Sequence, residues 1–196
     1  VFVEKPLAIN TDQLKEVIEA KAKYNHPLMV GFNRRFAPIS VNIKKEFSSV
    51  SEPLVINIRV NAGLIPKEHW TQQAEIGGGR IVGEVCHFID LMQFFTGAEP
   101  VKVFAESIST TNDKITPEDN IAIVVKFSNG SVGNLTYVAN GDKSMPKEMI
   151  EVFGAGNIGV INDFKEGTFH KDGKSSKLNS SGKGHKEEVE AFLNSI

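Results

Sequence analysis

The sequence predicts an α+β chain: an open, mainly antiparallel sheet packed on one long helix, preceded by a strand, helix and strand that close a parallel sheet. Three observations carry this. Between Gly77-Gly78-Gly79 and Gly97, the stretch from Arg80 to Phe95 is apolar nearly all round, and a helix apolar on every side is normally buried. From Pro53 onward, short β-branched and aromatic runs alternate with turn residues, the pattern of strands joined by tight reversals. Before them, two apolar runs flank a helical stretch over about thirty residues, the dimension of a βαβ crossover.

Val1 to Glu4 reads as a short buried strand ended by Glu4-Lys5-Pro6. The proline bars Lys5 from helical backbone and leaves the lysine at the strand's carboxyl end, the edge where open α/β sheets place ligands. Asn10-Thr11-Asp12 offers N-caps for a helix with Leu14, Val17, Ile18 and Ala22 on one face, broken by His26-Pro27. Leu28 to Phe32 returns to strand, and Phe36 to Phe47 reads as a second helix leading away. Strands are expected at 54–61, 101–107, 120–127, 130–139, 149–153, 159–163 and around Thr168-Phe169, with Asn129-Gly130 supplying a hairpin turn. Lys171 to Lys186, rich in Gly, Ser and Lys, reads as a mobile surface loop, and Glu187 to Ile196 as the start of a last helix. A chain that opens on Val in a strand already under way and stops within a helix is expected to be a fragment.

With 196 residues, 40% of them apolar and 23% charged, and a formal charge of −2, the chain can bury a core as one or two domains and lacks the basic excess of a nucleic-acid binder. No apolar run reaches membrane-spanning length, and no charged-then-apolar leader is present. The single cysteine, Cys86, leaves no disulfide framework and no Cys-based zinc cluster. It points to a reducing compartment, so a cytoplasmic location is expected.

Gly154-Ala155-Gly156-Asn157-Ile158-Gly159 matches the G-x-G-x-x-G fingerprint letter for letter. The fingerprint needs a helix next and an acidic residue about twenty positions on; here Val160 to Phe164 is strand-like and position 179 is Asn, so a glycine-rich hairpin is expected. Glu84-x-x-His87 is half of a carboxylate-bridged di-iron motif whose second copy is missing, and no metal is expected. No G-x-S-x-G is present. Glu84, His87 and Asp90, three apart on the apolar helix, place a histidine between two carboxylates. On spacing alone, a satisfied core histidine and a catalytic one stand level. Lys5 and His87 can meet at a cleft between the two layers, as a cationic partner and a general base for a hydroxyl or carbonyl.

Taken together, Glu4-Lys5-Pro6, the run Val30 to Phe36, Gly77-Gly78-Gly79 leading to His87-Phe88-Ile89-Asp90-Leu91, and Gly184-His185-Lys186-Glu187-Glu188 resemble the Gfo/Idh/MocA oxidoreductases, the glucose-fructose oxidoreductase and inositol dehydrogenase group. The resemblance covers essentially the whole chain. The wording from Gly83 to Leu91, with Asn61-Ala62-Gly63 and Trp70 before it, is most similar to the sugar-nucleotide dehydrogenases and the bi-domain oxidoreductases. The resemblance implies that residues 1–35 end an NAD(P)-binding Rossmann domain and that 36–196 form an α+β domain for substrate and for homo-oligomerisation through its open sheet. The Rossmann phosphate loop would lie upstream of Val1, so the chain alone is expected to be inactive. The implied reaction is hydride transfer between NAD or NADP and a secondary alcohol of a sugar, cyclitol or nucleotide-sugar. His87 is the implied general acid/base, and Lys5 the implied contact to the reacting hydroxyl and the nicotinamide ribose, across a Lys5-Pro6 bond often cis in the family. Glu4, Lys5 and Arg34 are expected to touch the cofactor; Arg34, Trp70 and Glu84 are expected to touch substrate, with Arg35 a further candidate. Many members carry an aspartate four residues before the histidine; that position is Gly83 here. Glu84 is then the candidate to orient His87, and a second reading stays open, a non-catalytic sugar-binding or oligomerisation domain.

Overall fold

The computed structural model describes residues 1–24 and 26–196. Its first part is a parallel pair, β1 (Phe2–Val3) and β2 (Met29–Val30), connected through α1 (Thr11–Tyr24). Asn10 caps that helix as its sequence suggests, its Oδ1 accepting from the backbone N–H groups of Asp12 and Gln13. A 3-10 turn, Asn33–Phe36, then leads into α2 (Pro38–Glu46), which falls within the helix expected over Phe36 to Phe47.

The second part is an eight-stranded sheet made of β3 (Val55–Asn61), β4 (Pro100–Ser107), β5 (Asn120–Phe127), β6 (Val132–Val138), β7 (Glu148–Gly154), β8 (Asn157–Asn162), β9 (Glu166–Lys171) and β10 (Lys174–Leu178). Its order is β10-β9-β8-β7-β3-β6-β5-β4. Every pairing is antiparallel except β3 with β6, which is parallel. Inward positions alternate along each inner strand, as in β5, where Ile123, Val125 and Phe127 are buried.

The long helix begins as a π-helical turn, Ile81–Val85, and continues as α3 (Cys86–Thr96) until Gly97 closes it with φ of 65°. Phe88, Leu91, Met92 and Phe95 of α3 are buried in one cluster with Ile56, Ile58, Leu135 and Ile150 of the sheet. Gly133 of β6 makes the approach possible, since a Cβ there would collide with Met92 Sδ. α2 covers the other half of the same face, where an added Cβ at Gly159 would come within 2.8 Å of Ile43 Cγ2. Among the described residues, no helix is long and apolar enough to cross a membrane.

Two expectations need correction. Lys171 to Lys186 is not one mobile loop, because Lys174–Leu178 forms β10, hairpinned to β9 through Asp172 and Gly173, both at positive φ. The strand is polar because it is an exposed edge, so the hydrophobic alternation that reveals inner strands is missing. The last helix, α4 (His185–Leu193), starts before Glu187, and Phe192 returns to pack on Phe2 with ring centroids 5.6 Å apart. The Gly154–Gly159 motif is a hairpin, with β7 ending at Gly154 and β8 starting at Asn157.

A buried ion pair joins these parts. Arg34 Nε and Nη2 donate to Glu148 Oε2 and Oε1 at 2.9 and 2.8 Å, and Lys183 Nζ adds 2.6 Å to Oε1. The Arg34 guanidinium also lies 4.8 Å from the Phe88 ring centroid. Removing one partner of such a pair strands a buried charge. Arg34→Ala should therefore lower the unfolding free energy by about 3 kcal/mol, measured by urea denaturation, while Arg34→Met with Glu148→Leu should lose much less. A single-variant loss under about 1 kcal/mol, the level of a surface pair, would show that the pair organises nothing.

Candidate active site

The carboxyl end of β1 and the first turns of the long helix meet at Lys5. Its peptide to Pro6 is cis, and its Nζ donates to the Gly83 carbonyl at 2.7 Å. The two close one side of a cavity of about 220 Å³ whose other walls include Ile9, Trp70, Arg80 and Glu84. Trp70 opens a 3-10 turn, Trp70–Gln72, and stands 58% exposed at the cavity, with the His69 ring 5.8 Å away. Gln72 pins this turn by donating to Asp119 Oδ2 at 2.6 Å.

Glu84 lines the cavity as the centre of a polar set. Its Oε2 accepts from Arg80 Nη2 at 3.0 Å and from the Tyr137 hydroxyl, and its Oε1 accepts from Lys147 Nζ. Arg80 in turn donates to the Tyr137 oxygen at 2.7 Å and to the Gly63 carbonyl at 3.1 Å. Burial works against the Glu84 charge, but the Lys147 ammonium, the Tyr137 hydroxyl and Arg80 outweigh it and hold the carboxyl down at about 2. Burial and the same carboxylate push the Tyr137 hydroxyl up, so it stays a donor.

His87 lies one helical turn beyond Gly83, only 6% exposed, with Phe32 edge-on at 6.0 Å between centroids. Its Nδ1 is buried without a hydrogen-bond partner among the described residues. Burial first, then the Arg34 and Lys5 charges, lower its pKa to about 3, against the opposing pull of Glu148 and Glu84. The imidazole is therefore neutral at ordinary pH.

The expected link from Glu84 to His87 does not form. Glu84 is taken by Arg80, Tyr137 and Lys147, and Asp90 by Arg35, whose Nε donates at 2.8 Å. A cation offers a carboxylate a stronger hydrogen bond than a neutral imidazole does. Arg34 and Arg35 likewise pair with carboxylates, Glu148 and Asp90 respectively. Glu4 stands exposed after β1 with its Oε2 3.0 Å from where a Cβ at Gly31 would sit. Nearby Glu188 is buried, and burial and the Glu4 charge raise its pKa to about 7. Lys5, Trp70 and Glu84 thus share one cavity, and His87, one turn beyond Gly83, is outside its lining residues.

Tyr137, Lys147 and Arg80 were not anticipated as site residues. Only Arg80 left a sequence signal, its i,i+4 spacing to Glu84. At Gly83 an added Cβ would meet only the Gly77 carbonyl, at an ordinary 3.5 Å, so packing does not demand glycine where an aspartate was expected.

The GFO/IDH/MocA C-terminal domain matches residues 49–157, more than half of the chain. The myo-inositol 2-dehydrogenase of Thermotoga maritima is 27% identical over 162 residues, 79% of this chain and 47% of that protein. The trans-1,2-dihydrobenzene-1,2-diol dehydrogenase of Xenopus laevis is 29% identical over 133 residues, 65% of this chain and 38% of its own length. The chain spans about half the length, or less, of these curated relatives. Among solved structures, an aldose-aldose oxidoreductase from Caulobacter crescentus has a TM-score of 0.81 at 18% identity, covering 100% of this chain and 62% of that one, a likeness of fold. With a domain match over most of the large sheet and the long helix, the chain belongs to the GFO/IDH/MocA oxidoreductase family.

Proposed function

We propose that the protein containing this chain transfers a hydride between NAD or NADP and a secondary alcohol of a sugar, cyclitol or nucleotide-sugar. The observation that carries this reading is the approach of the Lys5 ammonium to Gly83, one helical turn from a buried, neutral His87 whose Nδ1 has no hydrogen-bond partner among the described residues. The dehydrogenase names of the relatives support it.

The residues present fit the nicotinamide end of a dinucleotide. Glu4 and Lys5 stand at the carboxyl end of a parallel strand, where dinucleotides lie, and the missing Cβ of Gly31 leaves room for the Glu4 carboxylate. Lys5 would donate to a ribose hydroxyl and Glu4 would accept from one. The bound cofactor supplies the hydride acceptor. The chain's own residues manage the proton: His87 takes it from the reacting hydroxyl, and Lys5 orients that hydroxyl and steadies the oxyanion as it develops. Trp70 gives the sugar ring an apolar wall, and ionised Glu84, whose carboxylate has about four acceptor sites and uses three on Arg80, Tyr137 and Lys147, accepts from a neighbouring hydroxyl. Arg34 acts through its charge, adding to burial in keeping His87 neutral.

On this reading residues 1–35 complete a cofactor domain and 36–196 form the substrate domain. The chain alone is inactive, and the full protein works in the cytoplasm as a homo-oligomer joined through the open sheet.

In the full-length protein, His87→Ala or Lys5→Ala should lower turnover by about 10²–10⁴, while calorimetric NAD(H) affinity stays within a few-fold. Near-normal turnover in either variant refutes the assignment. The buried imidazole also makes stability depend on pH. Its folded pKa of about 3 lies below the ordinary 6.5, so between those values the unfolded state binds more protons and stability falls as pH is lowered through that window. Urea unfolding at pH 7.5 and 4.5 should show a smaller loss in His87→Asn than in the unaltered protein. Equal losses would mean that His87 is not the buried neutral group.

A further inference from the structure

We propose that β4 is an interface between two copies of this chain, pairing antiparallel with itself about a two-fold axis at Phe104. β4 is one edge of the eight-stranded sheet, and Pro100 to Glu106 are all exposed. The two edges differ in chemistry. β10, at the far side, presents Lys174, Ser175, Ser176 and Lys177, and lysine is a common guard against edge-to-edge pairing. β4 instead leaves Val103 67% and Phe104 65% exposed, on opposite faces. On the helix side, Val103 and Ala105 continue an apolar groove lined by Val82, Ile89 and Ile121.

The spacing along β4 selects the partner. A register shift between Pro100 and Lys102 ends the regular ladder, so the straight part of the edge is Lys102 to Ser107. An antiparallel copy centred on Phe104 sets Lys102 opposite the partner's Glu106, Glu106 opposite the partner's Lys102, and Phe104 against the partner's Phe104. Val103 then faces the partner's Ala105. Other same-face registers lose this match: centring on Val103 or Ala105 puts a charge opposite the partner's Phe104, and centring on Lys102 or Glu106 sets like charges together. The edge is thus self-complementary at one register, the property a two-fold contact requires. This contact lies along the sheet's rim and is separate from packing through the open face.

The test is sedimentation of the full-length protein at fixed concentration, with circular dichroism to check folding. By symmetry, Lys102→Glu creates two like-charge pairs, as does Glu106→Lys, and each should halve the assembled mass or raise the dissociation constant at least tenfold. Carrying both substitutions should restore the original mass. Residues directly opposite in an antiparallel pair have Cα atoms about 4.5–5.5 Å apart, within reach of a disulfide. Mild oxidation should therefore link Phe104→Cys into a covalent dimer and leave Val101→Cys, opposite the partner's Ser107, unlinked. The proposal is overturned by a monomeric unaltered protein, by unchanged mass in both single variants, by failure of the double variant to regain that mass, or by no cross-link at position 104. Turnover is not the readout, so this outcome is independent of the hydride-transfer reading.

Discussion

The cleft exists because a lysine from the end of β1 reaches a main-chain carbonyl 78 residues further along, Lys5 Nζ to Gly83 O at 2.7 Å. Without an acceptor a lysine ammonium on four methylenes samples many positions; a carbonyl built into a helix cannot turn away from it. The acceptor lies within the π-helical turn Ile81–Val85, a wider turn than the α form and one found often at functional sites. The contact joins the parallel pair to the helix that caps the large sheet. It sets the distance between the wall carrying Ile9 and the wall carrying Glu84. With no side chain at Gly83, it is the peptide itself that meets the lysine.

The buried charges are arranged as closed sets around this contact. Glu84 is satisfied by Arg80, Tyr137 and Lys147; Glu148 by Arg34 and Lys183; Asp90 by Arg35. Burying a carboxylate is tolerable only when its lone pairs are used and its charge is answered, and each set meets that condition without help from His87. The histidine is left with the outward fields of these sets, in which Arg34 and Lys5 prevail over Glu148 and Glu84. Its neutrality comes first from burial and then from those neighbours, with no carboxylate bonded to the ring.

Much of this architecture is legible in the residues. The apolar circumference of the long helix gave its burial, alternation gave the inner strands nearly to the residue, and strand-like residues after Gly159 identified the false dinucleotide fingerprint as a hairpin. β10 was illegible because an exposed edge has no buried face to write an alternation, although Asp172-Gly173 announced the turn. Lys5 and Trp70 are site candidates from motif and resemblance, and both line the one cavity. The hydrogen bonds of Glu84 were not found. Spacing along one helix reports which residues share a side, but it says nothing of Tyr137 and Lys147, which arrive from β6 and from the residue before β7.

The central strand β3 carries a consequence for how the sheet is divided. Its neighbours are β6 and β7, so Val55 stands between Val132 and Phe153. To one side lie β6, β5 and β4; to the other, the meander β7 to β10. The sheet is therefore two four-stranded plates, each local in sequence apart from β3, glued along the single β3–β7 seam. Glu148 lies on that seam and Lys147 just before it, and the two reach Arg34 and Glu84 respectively. Arg34 and Glu84 are both among the charges that act on His87, so the seam is tied through these two side chains to the electrostatic surroundings of that ring.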